Sequence, residues 1–167
     1  MLLARSDEVI VPMTDWKLPW SAACMCGRVK MRVSASPVMS MACHCRGCQK
    51  LTSGPYSLTL MLPASGFEVL EGKTEIGALH RTETAHHFCA HCKNWLYTTG
   101  IAGGQFVNFR STMLDDASWV VPFVESNVTE KLPSVVSGAR VSFDGFPPPD
   151  QYAPLMAVYA QEGARPK

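Results

Sequence analysis

Apolar and polar positions alternate through the middle of the chain. Between Gly27 and Ser34, Val29, Met31 and Val33 alternate with Arg28, Lys30, Arg32 and Ser34. Further on, Tyr56, Leu58, Leu60 and Leu62 alternate with Ser57, Thr59 and Met61. A period of two puts one set of side chains on one face, as half-buried strands require. Shorter candidates are Phe67–Leu70, Thr74–His80, Ala85–Phe88, Trp95–Thr99, Gln105–Arg110 and Trp119–Val124, set apart by the turn pairs Glu71-Gly72, Gly103-Gly104 and Asp115-Asp116. Many short strands with frequent turns predict a mostly β domain. Helical signals are sparse. Arg46–Thr52 predicts one short helix, and Asp150–Ala160 a second with Asp150 as its N-cap. Phe146-Pro147-Pro148-Pro149 reads as an extended surface connection. Residues 1–19 read as a lead-in, 20–125 as the domain proper, and 126–167 as a C-terminal extension packing on that domain. Trp16 and Trp20 read as core packing.

Composition narrows the class. A chain of 167 residues with 47% hydrophobic content can bury a real core, so metal need not be the sole support of the fold. The formal net charge is +1 and no basic run appears, so neither a nucleic-acid partner nor a membrane surface is expected. The apolar start at Met1-Leu2-Leu3 is too short for a signal segment, and acidic residues follow at once. The expected location is the cytoplasm, where thiols stay reduced. Seven cysteines, an odd number, also argue against a closed disulfide framework.

Those cysteines fall into three short groups: Cys24-Met25-Cys26, Cys43-His44-Cys45-Arg46-Gly47-Cys48 and Cys89-Ala90-His91-Cys92. Cysteines serving as small core hydrophobes would be scattered, whereas close pairs let two thiolates in one tight turn reach one ion. Iron–sulfur ligation also uses thiolates, but these spacings differ from the ferredoxin runs. Zinc takes four ligands, so seven thiolates divide naturally into four and three. The pairs Cys24/Cys26 and Cys89/Cys92 can combine into a closed structural site. Cys43, Cys45 and Cys48 can bind a second ion and leave one position open, the mark of a reactive zinc. Two zinc ions per chain are expected. A histidine could instead fill the open position. In an extended Cys43–Cys45 segment the His44 ring points away from the ion, and His86, His87 and His91 read as structural or surface residues.

The combined pattern of Cys24-x-Cys26-Gly27, Cys43-His44-Cys45-x-x-Cys48-Gln49-Lys50 and Phe88-Cys89-x-x-Cys92 resembles the glutathione-dependent formaldehyde-activating enzyme family, which also includes centromere protein V. The resemblance spans roughly residues 20–125. The segment from Val141 to Pro147 also resembles the tails of bacterial members. The resemblance implies a β-tent fold of short antiparallel sheets with zinc knuckles. It implies a structural zinc on Cys24, Cys26, Cys89 and Cys92, and a second zinc at Cys43, Cys45 and Cys48 where glutathione chemistry takes place. Two positions depart from the family pattern. Lys93 follows the last cysteine where glycine is common, so a left-handed turn falls on Lys93 or shifts to Asn94. Ser21-Ala22-Ala23 precedes the first group where the family often has glycine.

Three thiolates on Zn²⁺ leave a formal charge of −1, which makes a poor Lewis acid and suits a thiolate nucleophile better than hydrolysis. The expected activity is carbon–sulfur lyase chemistry on a thiol adduct such as S-(hydroxymethyl)glutathione, with Cys43, Cys45 and Cys48 holding the reactive zinc and a small-molecule thiol as partner. A carboxylate-bearing thiol calls for a basic residue, for which Arg46, Lys50 and Arg110 are candidates, each otherwise a solvated surface charge. The competing reading is a zinc-stabilised protein-binding module with both ions structural. An open position beside a pocket favours the enzyme, and a histidine closing the site favours the module.

Overall fold

The computed structural model describes residues 16–78 and 83–167. In chain order its strands are β1 (Trp20–Ala23), β2 (Lys30–Val33), β3 (Met39–Cys43), β4 (Ser57–Pro63), β5 (Phe67–Glu71), β6 (Thr74–Gly77), β7 (Ala85–Cys89), β8 (Trp95–Ile101), β9 (Phe106–Arg110), β10 (Val124–Ser126) and β11 (Val141–Ser142). The helices are α1 (Arg46–Thr52) and α2 (Tyr152–Glu162). The chain is mostly β, and the alternating segments are strands. The expected strand from Thr74 to His80 ends at Gly77, and His80 itself lies outside the described residues.

Two sheets form. β1, β2 and β5 make an antiparallel sheet of three strands. The other eight follow the order β11-β10-β3-β4-β9-β8-β7-β6. This second sheet is antiparallel from β3 to β6, but β10 runs parallel to both β3 and β11. Parallel neighbours need a long crossover, and residues 127–140 supply it between β10 and β11.

Three strands had no periodic signal. β3 is buried at four of its five positions, with β10 and β4 beside it and α2 over it, so Ser40 and Ala42 are buried like Met39 and Met41 and no solvent-facing polar set marks the strand. β1 is poor in strand-forming residues and is held by pairing with β2 and by a bridge from Ala22 to Leu114. β11 is two residues long. Conversely, only the last residue of Trp119–Val124 is strand. Pro122 lacks an N–H for the ladder, and Trp119 and Val120 are buried outside it.

The core runs between the sheets and includes Val29, Met31, Leu60, Leu62, Leu96, Phe109 and Val124. At one end Trp16 packs against Trp20, Trp119 and Tyr159 with ring centroids 6.0–6.2 Å apart. Tyr159 comes from α2 and is fully buried. The helix is not capped by Asp150. Pro148 and Pro149 lead into a tighter turn over Pro149–Gln151, and Gln151 stands at the cap position without a side-chain bond. Among the described residues no helix is long and apolar enough to cross a membrane.

Candidate functional site

Two tight turns meet where the sheets approach each other. Cys24 and Cys26 lie between β1 and β2, Cys89 ends β7, and Cys92 lies in the turn before β8. All four sulfurs fall within 4.8 Å of one another. Cys24 Sγ is 3.4 Å from Cys26 Sγ, which is 3.8 Å from Cys89 Sγ. Tetrahedral zinc at its usual sulfur distance sets sulfurs about 3.8 Å apart, so the donors fit a single ion. The Val29 and Cys92 amides point at Cys24 and Cys89 sulfurs (3.3 and 3.5 Å), as amides do toward thiolates. Burial, the largest influence on Cys24, opposes ionisation. The Val29 amide and the neighbouring thiols outweigh it and bring the thiol down to about 6.

The turns differ in strain. Gly27 takes φ +73° after the first pair, and Lys93 takes φ +60° after the second. The strained position is thus Lys93. Asn94 instead accepts the Met25 N–H (2.7 Å) and ties the turns together. A left-handed non-glycine residue costs about 1 kcal/mol, and the Lys93–Glu75 pair (2.5 Å) is largely exposed and returns little. Lys93→Gly is therefore expected to raise stability by about 0.5–1 kcal/mol, measured by denaturant unfolding of the zinc-loaded protein.

Cys43, Cys45 and Cys48 form the second group, again with sulfurs within 4.8 Å. Cys43 ends β3, and Cys45 caps α1 by accepting the Cys48 N–H (3.3 Å). The helix thus begins at the cluster and brings its third cysteine back within one turn. The hydrogen bond from Cys48 holds Cys43 down at about 5 against burial, and the same bond, with burial, pushes Cys48 far up. A thiolate sharing the protons of its neighbours marks a donor set suited to a soft cation. All three cysteines are partly exposed. Among the described residues no histidine, carboxylate or further cysteine joins them.

His44 is turned away from this cluster. It is fully buried and its Nε2 meets Glu125 Oε2 at 3.0 Å. Glu125 also accepts from Lys131 (2.8 Å), Ser137 (2.6 Å) and Ser142 (2.8 Å). Asn127 Nδ2 donates to Cys43 Sγ (3.3 Å). His86 and His87 meet the Thr98 and Thr99 hydroxyls across the β7–β8 ladder, so neither belongs to a cluster. Burial works against the Glu125 charge, but its donors, Lys131 foremost, hold the carboxyl down at about 2. A carboxyl depressed on folding stabilises above its ordinary value of 4.5 and loses that contribution as pH falls toward 2. The stability advantage of the wild type over Glu125→Gln should therefore shrink between pH 5 and pH 3, read from urea midpoints of the two proteins.

A cleft of about 550 Å³ lies between the end of α1 and the turn after Cys92, lined by Thr52, Tyr56, Lys93, Asn94, Trp95, Arg110 and Thr112 among others and by none of the cysteines. Thr52 Oγ1 donates to the Cys48 carbonyl (2.9 Å), and the Tyr56 ring meets His44 edge-on with centroids 5.2 Å apart. The lining residues include two cations and no carboxylate. Arg110, expected among solvated charges, is 6% exposed, with its guanidinium 3.9 Å over the Trp95 ring. Burial lowers its guanidinium to about 10, while the charges of Cys48 and Cys43 work the other way. Arg46, by contrast, bonds Gln49 in its own helix. Glu125 and Asn127 gave no sequence signal, because each reaches its partner from a distant segment, and Asn94 was read for its backbone and not for its bond to Met25.

A family model described as glutathione-dependent formaldehyde-activating enzyme matches residues 19–130. No curated protein matches the chain. Among solved structures, the chain is similar to a crystal structure of a Rhodobacter sphaeroides protein at 14% identity, covering 74% of this chain and 98% of that one with a TM-score of 0.49.

Proposed function

We propose, for a chain that belongs to the glutathione-dependent formaldehyde-activating enzyme family, that Cys43, Cys45 and Cys48 form the reactive centre of a carbon–sulfur lyase making and breaking a thiol–formaldehyde adduct such as S-(hydroxymethyl)glutathione. The observation that carries this reading is a three-cysteine cluster, joined by no fourth protein donor among the described residues, and linked through Thr52 to a cleft with cations and no carboxylate. On this reading the chain holds two zinc ions, one on Cys24, Cys26, Cys89 and Cys92 and one on the three-cysteine cluster. A zinc ion held by Cys43, Cys45 and Cys48 would supply the acidity that turns a thiol into a thiolate at neutral pH.

The chain's own residues do the rest. α1 sets Cys45 and Cys48 on one turn, Asn127 fixes the Cys43 sulfur, and Glu125 keeps His44 from filling the open position. The thiol proton leaves to solvent. The sulfur lone pair forms the S–C bond to formaldehyde, the carbonyl π pair moves to oxygen, and that oxygen takes a proton from water. Thiol plus formaldehyde thus gives the hydroxymethyl thioether with no redox change, and the reverse reaction releases both. Such chemistry needs reduced thiols, and all seven cysteines are free, consistent with a cytoplasmic protein.

Exchange NMR on an equilibrium mixture of glutathione, formaldehyde and adduct tests the proposal. The zinc-loaded protein should speed exchange of the adduct methylene above the protein-free rate. An unchanged rate overturns the enzyme reading and leaves the zinc-stabilised binding module.

A further inference from the structure

Arg110 is a buried cation. One of its terminal nitrogens donates to the Asn108 carbonyl (3.1 Å), its plane covers Trp95, and its Nε finds no protein partner. Among the described residues no carboxylate forms an ion pair with it. Taking a guanidinium out of water costs several kcal/mol unless an anion answers it. The sheet register indicates which anions can. β4 pairs Ser57 with Cys43 and Thr59 with Arg110. Directly paired residues share a face, as do residues two apart, so Cys43 and Arg110 rise from one face about 12 Å apart, two strand spacings across and two residues along. Its side chain covers part of that gap, with the guanidinium over Trp95. The other cation of the cleft, Lys93, is already tied to Glu75.

A doubly charged ion on three thiolates carries −1, and a fourth thiolate brings −2. The second negative charge arrives in a partly buried place where an unanswered charge is costly. Arg110 bridges the two features, since it lines the cleft that the cysteines do not line and shares a sheet face with Cys43. We propose that Arg110 is the charge partner of a thiolate entering from the cleft, and so a further binding residue of the site. It answers the sulfur itself, whatever else the thiol carries. This assignment rests on reading the cluster as a thiol site.

Cobalt-substituted protein reports the fourth ligand through its visible and charge-transfer bands. Titrations with 2-mercaptoethanol, glutathione and imidazole would be compared for wild type, Arg110→Gln and Arg110→Lys. Arg110→Gln should weaken both thiols by about 10–100-fold, the scale of a lost hydrogen bond to a charged group. Imidazole, a neutral ligand, should stay within about twofold, and Arg110→Lys should recover part of the loss, since it restores the charge without the planar stack on Trp95. The assignment is overturned if Arg110→Gln binds thiols like wild type, if it loses imidazole equally, or if it loses glutathione alone, which would make Arg110 a carboxylate reader. A wild-type spectrum unmoved by any thiol overturns the function on which the assignment rests, and the assignment with it.

Discussion

Cys89→Ser is expected to cost the fold about 4 kcal/mol or more, because structural zinc contributes folding energy outright. Cys89 is 1% exposed and sits where two hairpins of different sheets are joined. Cys24 and Cys26 come from the β1–β2 turn of the three-stranded sheet, and Cys89 and Cys92 from the β7–β8 turn of the eight-stranded one. Few direct bonds cross between these turns; Met25 to Asn94 is one. Removing one sulfur leaves three thiols that have lost their ion and a junction with little else to hold it. The midpoint of thermal unfolding should fall by about 10 °C or more for a chain of this size, and zinc content should drop by about one ion per chain. A variant that keeps its melting temperature would show that the sheets are held by the apolar core alone.

Cys48→Ala should do the opposite. Cys48 sits in the first turns of a short surface helix whose cap is made by Cys45, and no second sheet depends on it. Zinc should again fall by about one ion per chain, but stability should drop by no more than about 1–2 kcal/mol, as for a partly exposed substitution. Catalysed exchange of the thiol–formaldehyde adduct should disappear, since two cysteines cannot retain the ion the chemistry needs. The pair of variants separates the centres: one loses the fold, the other the activity. Equal losses of stability in both would mean that the three-cysteine cluster is also structural.

The sequence carried the local features of this molecule and not the distant ones. Val29, Met31 and Val33 announced β2 because one of its faces is apolar and the other is not. Met39–Cys43 stayed silent because β3 is covered on both sides, and a uniformly buried strand has no period to read. The cysteine groups were legible since metal ligation needs thiols in short turns, and α1 was legible between Arg46 and Thr52. Their surroundings were not. Glu125 reaches His44, and Asn127 reaches Cys43, through the parallel pairing of β10 with β3, a contact set by crossover topology and not by spacing. Arg110 read as one of three candidate basic residues, otherwise a solvated surface charge, and its burial follows from its place on β9 in the middle of the large sheet. The left-handed turn at Lys93 was anticipated as one of two options, and the backbone places it there and not on Asn94.

X-ray absorption at the zinc edge tests the central claim most directly, on protein purified without chelator or added metal and carrying about two zinc ions per chain. One closed and one open centre give an average of about 3.5 sulfurs per zinc, with a nitrogen or oxygen ligand making up the remainder. Excess glutathione should raise that average to about 4 as its sulfur joins the second centre. An average of about 4 before any thiol is added, or one near 3.5 that glutathione leaves unchanged, would contradict an open thiol-binding zinc at Cys43, Cys45 and Cys48.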